Sequence, residues 1–309
     1  MIRAAVCGLL SSLLVGLSQP ALALDPAVFY QGVQRLQDRL RQETLAQDPS
    51  RPAEMYLRPG FQSRLWLQQP QQARATVLFF HAPGAGPWQA EAFCPGLAAA
   101  GFHCYAPRLP GHGWIRADGS QGRLIPDYAQ RAQYGEFLAQ VHADVLALQA
   151  PVYALGLSGG ANLALSLALG QEQDAVPRIV AIAPMLGPEP GDAFGWQLLA
   201  ATQPLFPGLL AGLPAYKGAT GPEPISLDQA LTLYRLGREA VPLRASVQFF
   251  TFDGQAALSG LPPVRERIAA LGGPARHGWY HQHEPMELNS LLPLITAFFS
   301  SGEPVWKEP

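Results

Sequence analysis

Apolar and polar residues follow two alternating patterns along most of the chain. Short apolar runs, typical of strands buried on both faces, are separated by longer segments with helical spacing. The runs lie at 76–80, 102–106, 152–155, 179–182, 247–252 and 275–280, with helical segments between them and a last one at 288–299. Because strands that alternate with helices form parallel sheets, the pattern predicts an α/β fold with a mostly parallel, doubly wound sheet.

Two further elements are predicted before this alternation begins. Asp25 and the proline after it form a helix-start signal, and the apolar residues that follow at helical spacing predict an amphipathic helix over 26–46. Strand-like segments at 55–57 and 64–67 flank a Pro-Gly turn signal. We therefore expect these two segments to pair as a hairpin.

The stretch from 186 to 240 interrupts the alternation of strands and helices. It is rich in large apolar residues, prolines and glycines, which makes it too apolar for a solvated loop and too irregular for a single helix. We interpret it as a cap inserted between two strands above a substrate pocket, with ordinary core helices as the alternative. A cap of this composition would also offer a surface for transient contact with membrane lipids.

Residues 1–23 have the composition of a secretory signal. Arg3 provides the positive start, 6–17 an apolar stretch, and 21–23 a small-x-small cleavage site. Polar residues interrupt this run before it reaches the roughly 20 apolar residues that span a bilayer, which argues against a membrane anchor. We expect export to the periplasm or the medium, with 24–309 as one domain, since α/β folds of roughly 250 residues commonly form a single unit.

Composition and charge narrow the classes of function. A hydrophobic fraction of 48% with 14% charged residues is compatible with a large core. A formal net charge of -2 gives no electrostatic reason to bind nucleic acid, whose affinity depends on neutralised phosphates. Outside the signal the only cysteines are Cys94 and Cys104, and the sequence leaves open whether they form a disulfide in an oxidising compartment or are two buried thiols.

The strongest chemical signal is the run Gly-Leu-Ser-Gly-Gly at 156–160. Its serine, Ser158, lies between glycines, after a predicted strand and before a predicted helix. This setting is required for a sharp strand-to-helix turn that exposes a nucleophilic hydroxyl, because glycines let the two backbones approach closely. The alternative is a glycine-rich packing turn.

From about 75 to 299 the chain resembles the α/β-hydrolase family, within it the monoacylglycerol lipase, lysophospholipase and carboxylesterase-like branch. The resemblance rests on the segment from Phe79 to Gly84, the Pro-Gly-His-Gly run that ends at Gly113, and the serine motif. It implies the α/β-hydrolase fold with a helical cap. It also implies a catalytic triad in the chain order serine, acid, histidine.

Carried over to this chain, the resemblance implies an acid and a histidine after the last two strands. Asp253 directly follows the strand at 247–252; a simple turn is the alternative, with Glu189 or Asp192 as the replacement acid. For the base we favour His283, because the glutamate after it resembles the His-Glu pair of lysophospholipase-like members. His281 is the alternative base.

The loop after the first buried strand departs from the family pattern. Ala82 stands where the family usually has a glycine, and Pro83 falls near the residue that would donate an N–H to the oxyanion. Since proline has no N–H, we assign the oxyanion hole to Gly84 and Gly159, with Ala85 as a reserve donor.

Together these features predict an exported serine hydrolase that needs neither a cofactor nor a metal. It would cleave a small-molecule or lipid ester with an apolar part through an acyl-serine intermediate. Two alternatives remain: thioester cleavage, amide cleavage or acyl transfer by the same triad, and a non-catalytic binding protein on the same scaffold. The sequence leaves the oligomeric state open.

Overall fold

The structure is a computed structural model that describes most of the chain. The described residues are 25–44, 55–118, 131–167, 176–187, 198–199, 201–202, 226–239, 245–252, 261–271, 277–283 and 287–307. The predicted signal segment and the candidate acids Asp253, Glu189 and Asp192 lie outside them.

Ten strands and seven α-helices are present in the described ranges. The strands are β1 Met55–Leu57, β2 Arg64–Trp66, β3 Ala75–Phe80, β4 Phe102–Ala106, β5 Trp114–Arg116, β6 Val152–Leu157, β7 Arg178–Ile182, β8 Ser246–Phe252, β9 His277–Gln282 and β10 Trp306–Lys307. The helices are α1 Pro26–Thr44, α2 Cys94–Ala99, α3 Arg131–Leu146, α4 Gly159–Leu167, α5 Leu227–Glu239, α6 Leu261–Ala270 and α7 Leu292–Ser301. Short 3₁₀ helices lie at Pro70–Gln72, Pro87–Ala92 and Leu288–Leu291.

Eight of the strands form one sheet in the order β10-β9-β8-β7-β6-β3-β4-β2. Every neighbouring pair is parallel except β2 with β4. The predicted mostly parallel α/β sheet is therefore confirmed. The parallel order brings the carboxyl ends of β6, β7, β8 and β9 to one edge of the sheet.

Both faces of this sheet are buried, which explains the nearly continuous apolar runs. All six residues of β3 and all six of β6 are buried. On one face Leu78 and Phe80 pack in the cluster that includes residues of α1, α3, α4 and α5. On the other face Val77 and Phe79 pack with residues of α2 and α7. Burial on two faces is the condition that favours uninterrupted apolar strands.

Helix α1 begins at the predicted helix-start signal, which is Asp25 and the proline after it. The Asp25 carboxylate accepts a hydrogen bond from the Ala27 N–H (2.9 Å), and the Asp25 carbonyl accepts one from the Phe29 N–H (3.0 Å). These bonds satisfy donors that a helix start otherwise leaves without partners. Phe29 and Leu36 are buried against the main body of the domain, so the helix is part of the fold.

The predicted hairpin is wrong. β1 pairs antiparallel with β5 in a separate two-stranded sheet, whereas β2 pairs antiparallel with β4 at the edge of the main sheet. The segment between β1 and β2 is bound to helix α1: the Glu43 carboxylate accepts hydrogen bonds from the Ser63 N–H (2.8 Å) and the Ser63 hydroxyl (2.7 Å). Partners distant in sequence therefore separate two strands that a local turn signal suggested should pair.

Cys94 and Cys104 form a disulfide, which decides between the two possibilities that the sequence left open. Cys94 is the first residue of α2 and Cys104 lies in β4, and their Cα atoms are 5.6 Å apart. This separation is within the usual range for disulfides. The bond joins α2 to the strand that it covers.

The insertion between β7 and β8 contributes α5 to the described part of the chain. Ala230, Leu231, Leu233 and Tyr234 of this helix are buried. Most of the predicted cap at 186–240 lies outside the described residues, so its extent stays a prediction. No helix within the described ranges has the length and apolar character needed to cross a bilayer.

Candidate active site

Ser158 occupies the sharp turn between β6 and α4. Its φ of 55° lies in the left-handed region, where residues other than glycine are uncommon and strained. The turn is held because the Ser158 N–H donates to the Ile182 carbonyl (2.8 Å) and the Ser158 carbonyl accepts from the Ala161 N–H (3.0 Å). Ser158 therefore stands at the start of α4 in the strained conformation that a nucleophile turn requires.

The glycines of the motif are required by close backbone contacts. A Cβ on Gly156 would lie 2.2 Å from the Gly160 carbonyl oxygen. A Cβ on Gly160 would lie 2.4 Å from the carbonyl oxygens of Phe80 and His81. Both distances are far below van der Waals contact, so no side chain fits at either position. The alternative of a mere packing turn explains these glycines but not the strained φ of Ser158.

Apolar side chains from three segments surround Gly159, the residue after Ser158. A Cβ on Gly159 would lie 2.5 Å from Pro83 Cγ, 2.8 Å from Leu233 Cδ1 and 3.1 Å from Met185 Sδ. The loop after β3, the segment after β7 and helix α5 therefore all reach the serine turn. Gly159 opens α4, where backbone N–H groups have no intrahelical acceptor, which suits the predicted oxyanion role of its N–H.

Asn162 ties two of these segments to the helix that begins after Ser158, a role that the sequence analysis missed. Its fully buried amide donates to the carbonyls of Met185 (2.8 Å) and Leu233 (2.7 Å) and accepts from the Met185 N–H (3.0 Å). A lone asparagine in the apolar helix segment was the signal that could have identified it, because buried amides require partners.

The loop after β3 uses its N–H groups internally. Ala82 donates to Gln89 Oε1 (2.8 Å), Gly84 donates to His112 Nε2 (3.1 Å) and Ala85 donates to the Ala82 carbonyl (3.0 Å). The predicted oxyanion donor Gly84 and its reserve Ala85 thus already have acceptors in this conformation. Gly84 would have to break its bond to His112 before it could donate to an oxyanion.

His81 and His112 are fully buried, and both rings bond to the backbone of neighbouring loops. His81 accepts the Leu109 N–H at Nε2 (3.0 Å), as His112 accepts the Gly84 N–H, and their Nδ1 atoms lie 2.9 and 3.0 Å from backbone carbonyl oxygens. Burial lowers the pKa of His81 well below its usual range and that of His112 to about 4. Both rings are therefore neutral near pH 7, with the proton on Nδ1.

Arg108 is a buried cation in the segment between β4 and β5. Its N–H donates to Ser63 Oγ (2.8 Å), its Nη1 donates to the His112 carbonyl (3.2 Å), and its guanidinium lies 4.7 Å from the centre of the Trp114 ring. The arginine therefore braces the loop that carries His112, using an aromatic face and neutral acceptors.

We expect the stability of the protein to fall between pH 6.5 and pH 4 because of His112. An unfolded histidine takes up a proton near pH 6.5, whereas folded His112 does so only near pH 4, so acid favours the unfolded state within this window. The shift corresponds to about 3 kcal/mol of unfolding free energy, fully present above pH 6.5. Urea unfolding at a series of pH values measures it. His103, whose pKa burial also lowers to about 4, and His81 add to the slope in the same direction. His112→Gln should therefore reduce the slope without abolishing it, and equal slopes in the two proteins would contradict the prediction.

The three predicted triad residues each come directly after a strand of the same parallel sheet. Ser158 follows β6, Asp253 follows β8 and His283 follows β9. β8 and β9 are neighbours, with Phe252 paired to Gln282. Because the carboxyl ends of parallel strands lie at one edge, all three strands end on the side of the sheet where an α/β fold binds its ligands.

The two candidate bases differ in their surroundings. β9 extends further than predicted, so His281 lies within the strand, is only 1% exposed, and has its Nδ1 atom 2.9 Å from Thr251 Oγ1. His283 is exposed and follows the last residue of β9. An exposed position beyond the strand suits a side chain that must reach a substrate, whereas a buried strand position does not.

Comparisons with known proteins agree with this architecture. Residues 77–297 match the model of the alpha/beta hydrolase family. A soluble variant of monoglyceride lipase from Saccharomyces cerevisiae superposes with a TM-score of 0.58 at 12% identity, over 79% of this chain and 92% of that one. Monoacylglycerol lipase from Paleococcus ferrophilus superposes with a TM-score of 0.57 at 16% identity, over 77% and 98%.

A third similar structure comes from work on LipS and LipT, two metagenome-derived lipolytic enzymes. It has a TM-score of 0.52 and 19% identity, over 79% of this chain and 99% of that one. No curated protein sequence matches the chain. At these identities the structural neighbours establish the fold, while the family model covers more than half of the sequence. The chain belongs to the α/β-hydrolase family.

Proposed function

We propose that this protein is an exported serine hydrolase that cleaves carboxylic esters with an apolar part. The observation that carries the proposal is the geometry of Ser158: a non-glycine residue at φ 55°, between a buried strand and a helix, with glycines packed against backbone on both sides. A strained residue at such a turn is a feature of functional sites. The solved lipolytic structures that share the fold agree with this reaction class.

In the proposed mechanism Ser158 Oγ attacks the ester carbonyl carbon while His283 removes its proton. Asp253 holds the imidazole and stabilises the imidazolium. The tetrahedral intermediate collapses, the alcohol leaves with the proton from His283, and an acyl-serine remains. Water, deprotonated by His283, then attacks the acyl carbon and releases the acid and Ser158. Gly159 N–H donates to the oxyanion; Gly84 N–H joins it on release from His112.

The residues around Gly159 support the proposal that part of the substrate is apolar. Pro83, Met185 and Leu233 approach this position from three segments, and none presents a charge. An acyl or alkyl chain gains roughly 0.8 kcal/mol for each methylene buried among such side chains. The proposed preference is therefore for esters with several methylenes next to the reacting carbonyl.

Export is supported by the disulfide between Cys94 and Cys104, because such bonds persist in oxidising compartments. The predicted signal at 1–23, with its small-x-small cleavage site at 21–23, would be removed on export. We propose the periplasm or the medium as the location.

Covalent labelling tests the proposed reaction directly. A fluorophosphonate probe should modify the mature protein, and peptide mass spectrometry should place the label on Ser158. With p-nitrophenyl esters of increasing chain length, kcat/KM should rise with each methylene by up to about fourfold until the pocket is filled. A label on another serine would overturn the assignment.

The rival proposal is a binding protein on a hydrolase scaffold. It is favoured by the state of the loop after β3, where Pro83 has no N–H and the Gly84 N–H already donates to His112. Absence of both labelling and ester turnover would support that rival. Turnover of thioesters or amides in preference to esters would instead keep the triad and change the substrate class.

A matched pair of variants identifies the base. We expect His283→Ala to lower kcat by about 10⁴-fold or more, because the serine then lacks a proton acceptor. His281→Ala should retain the acceptor and lose far less. The measurement is kcat for the best ester at pH 8, with thermal unfolding of each variant as the control for folding. The assignment is wrong if only His281→Ala loses activity.

A further inference from the structure

Three buried side chains of β8 and β9 form a connected group beneath His283. The Trp279 indole N–H donates to Thr251 Oγ1 (2.9 Å), and Thr251 Oγ1 lies 2.9 Å from His281 Nδ1. The His281 ring in turn contacts the His283 ring edge to face, with ring centres 4.8 Å apart and planes at 79°. The proposed mechanism uses His283 but none of the three buried side chains.

The group is anchored in the sheet. Thr251 and His281 are paired across β8 and β9, and both are almost completely buried, as is Trp279. An indole N–H can only donate, so Thr251 Oγ1 accepts from Trp279, and the tautomer of the His281 ring sets which partner donates in the bond between Thr251 Oγ1 and His281 Nδ1. The bond to Thr251 fixes the orientation of the His281 ring.

His283 needs a support of this kind. It is exposed and follows the last residue of its strand, so the strand pairing does not fix its side chain. A general base has to be held within about 0.5 Å of its working position, and a 1 Å displacement can cost about a hundredfold in rate. The buried hydrogen bond to Thr251 fixes the His281 ring. This ring therefore provides a rigid surface against which the His283 imidazole can pack.

We propose that Thr251 and His281 are positioning residues that hold the imidazole of His283 toward Ser158. The proposal rests on the proposed function, because it takes His283 as the base. Thr251 acts through His281, and His281 acts through the ring contact with His283.

Thr251→Val tests the first link, because valine keeps the shape of threonine and removes the hydroxyl. We expect kcat for the best ester to fall about tenfold with KM within about twofold, since the base is displaced while the pocket is unchanged. Thr251→Ser should restore most of kcat because it restores the hydroxyl. Thr76→Val is the matched control: Thr76 is fully buried in β3, and its hydroxyl has no hydrogen-bonding partner in the described part of the chain.

A spectroscopic readout separates positioning from a general loss of stability. The ring protons of His283 should have shifted NMR signals in the wild-type protein, because they lie against the His281 ring. In folded Thr251→Val these signals should move toward those of an exposed histidine, and in Thr76→Val they should not. The proposal requires both the loss of kcat and this movement; either one without the other overturns it.

The spectroscopic test remains informative if the proposed function fails. Absence of turnover and labelling in the wild-type protein would remove the catalytic role of His283 and with it this proposal. The ring signals would then still report whether Thr251 holds His283, which distinguishes failure of the reaction from failure of the contact.

Discussion

Ser158→Ala is expected to lower kcat for the best ester by about 10⁵-fold or more, because the proposed acyl intermediate forms on the Ser158 hydroxyl. Any remaining rate should come from oxyanion donors and substrate binding, which persist without the nucleophile. The loss should appear in kcat rather than in KM, since a methyl group in place of the hydroxymethyl leaves the pocket intact. Steady-state kinetics on purified protein, with fluorophosphonate labelling in parallel, measure it.

Ser166→Ala is the matched control for this variant. Ser166 lies on α4, about two turns after Ser158, and its hydroxyl donates to the Asn162 carbonyl (2.9 Å). Its removal should leave kcat within about twofold, because the bond that the described residues give this hydroxyl lies within its own helix. Labelling and turnover that persist in Ser158→Ala would show that the strained serine is not the nucleophile.

Gly156→Ala is expected to destabilise the protein by about 4 kcal/mol or more. The new methyl group would lie 2.2 Å from the Gly160 carbonyl oxygen and 2.5 Å from the Ala161 backbone nitrogen. Both contacts are with backbone in the first turn of α4, which cannot move without displacing the helix from the sheet. Urea unfolding measures the loss, and activity should fall with it because Ser158 directly precedes the same helix.

Gly135→Ala provides the opposite result in the same experiment. Gly135 lies on the exposed surface of α3, and a Cβ there would meet no atom within 4 Å. Alanine at an open helical position should stabilise the protein by up to about 1 kcal/mol, because it reduces the freedom of the unfolded chain. A Gly156→Ala variant as stable as Gly135→Ala would show that the turn tolerates a side chain and that the packing described for it is wrong.

The sheet and the serine turn were predictable because their signals are local. Apolar runs mark strands buried on both faces, and the glycine-serine pattern between a strand and a helix encodes a close backbone approach. The end of β9 was predicted two residues too early, at Tyr280 rather than Gln282. The longer strand includes His281 and so places this histidine inside the sheet rather than in the loop after it.

The sequence alone determined that the chain forms a mostly parallel α/β sheet with Ser158 at a sharp turn, since burial and glycine packing leave a pattern in adjacent residues. Only the tertiary structure decided that the two early strands pair with different partners, that Cys94 bonds to Cys104, and that Gly84 donates to His112. It also brought His281 against Thr251. Each of these outcomes depends on a partner distant along the chain, and the choice of such a partner is made by packing and hydrogen bonding in three dimensions.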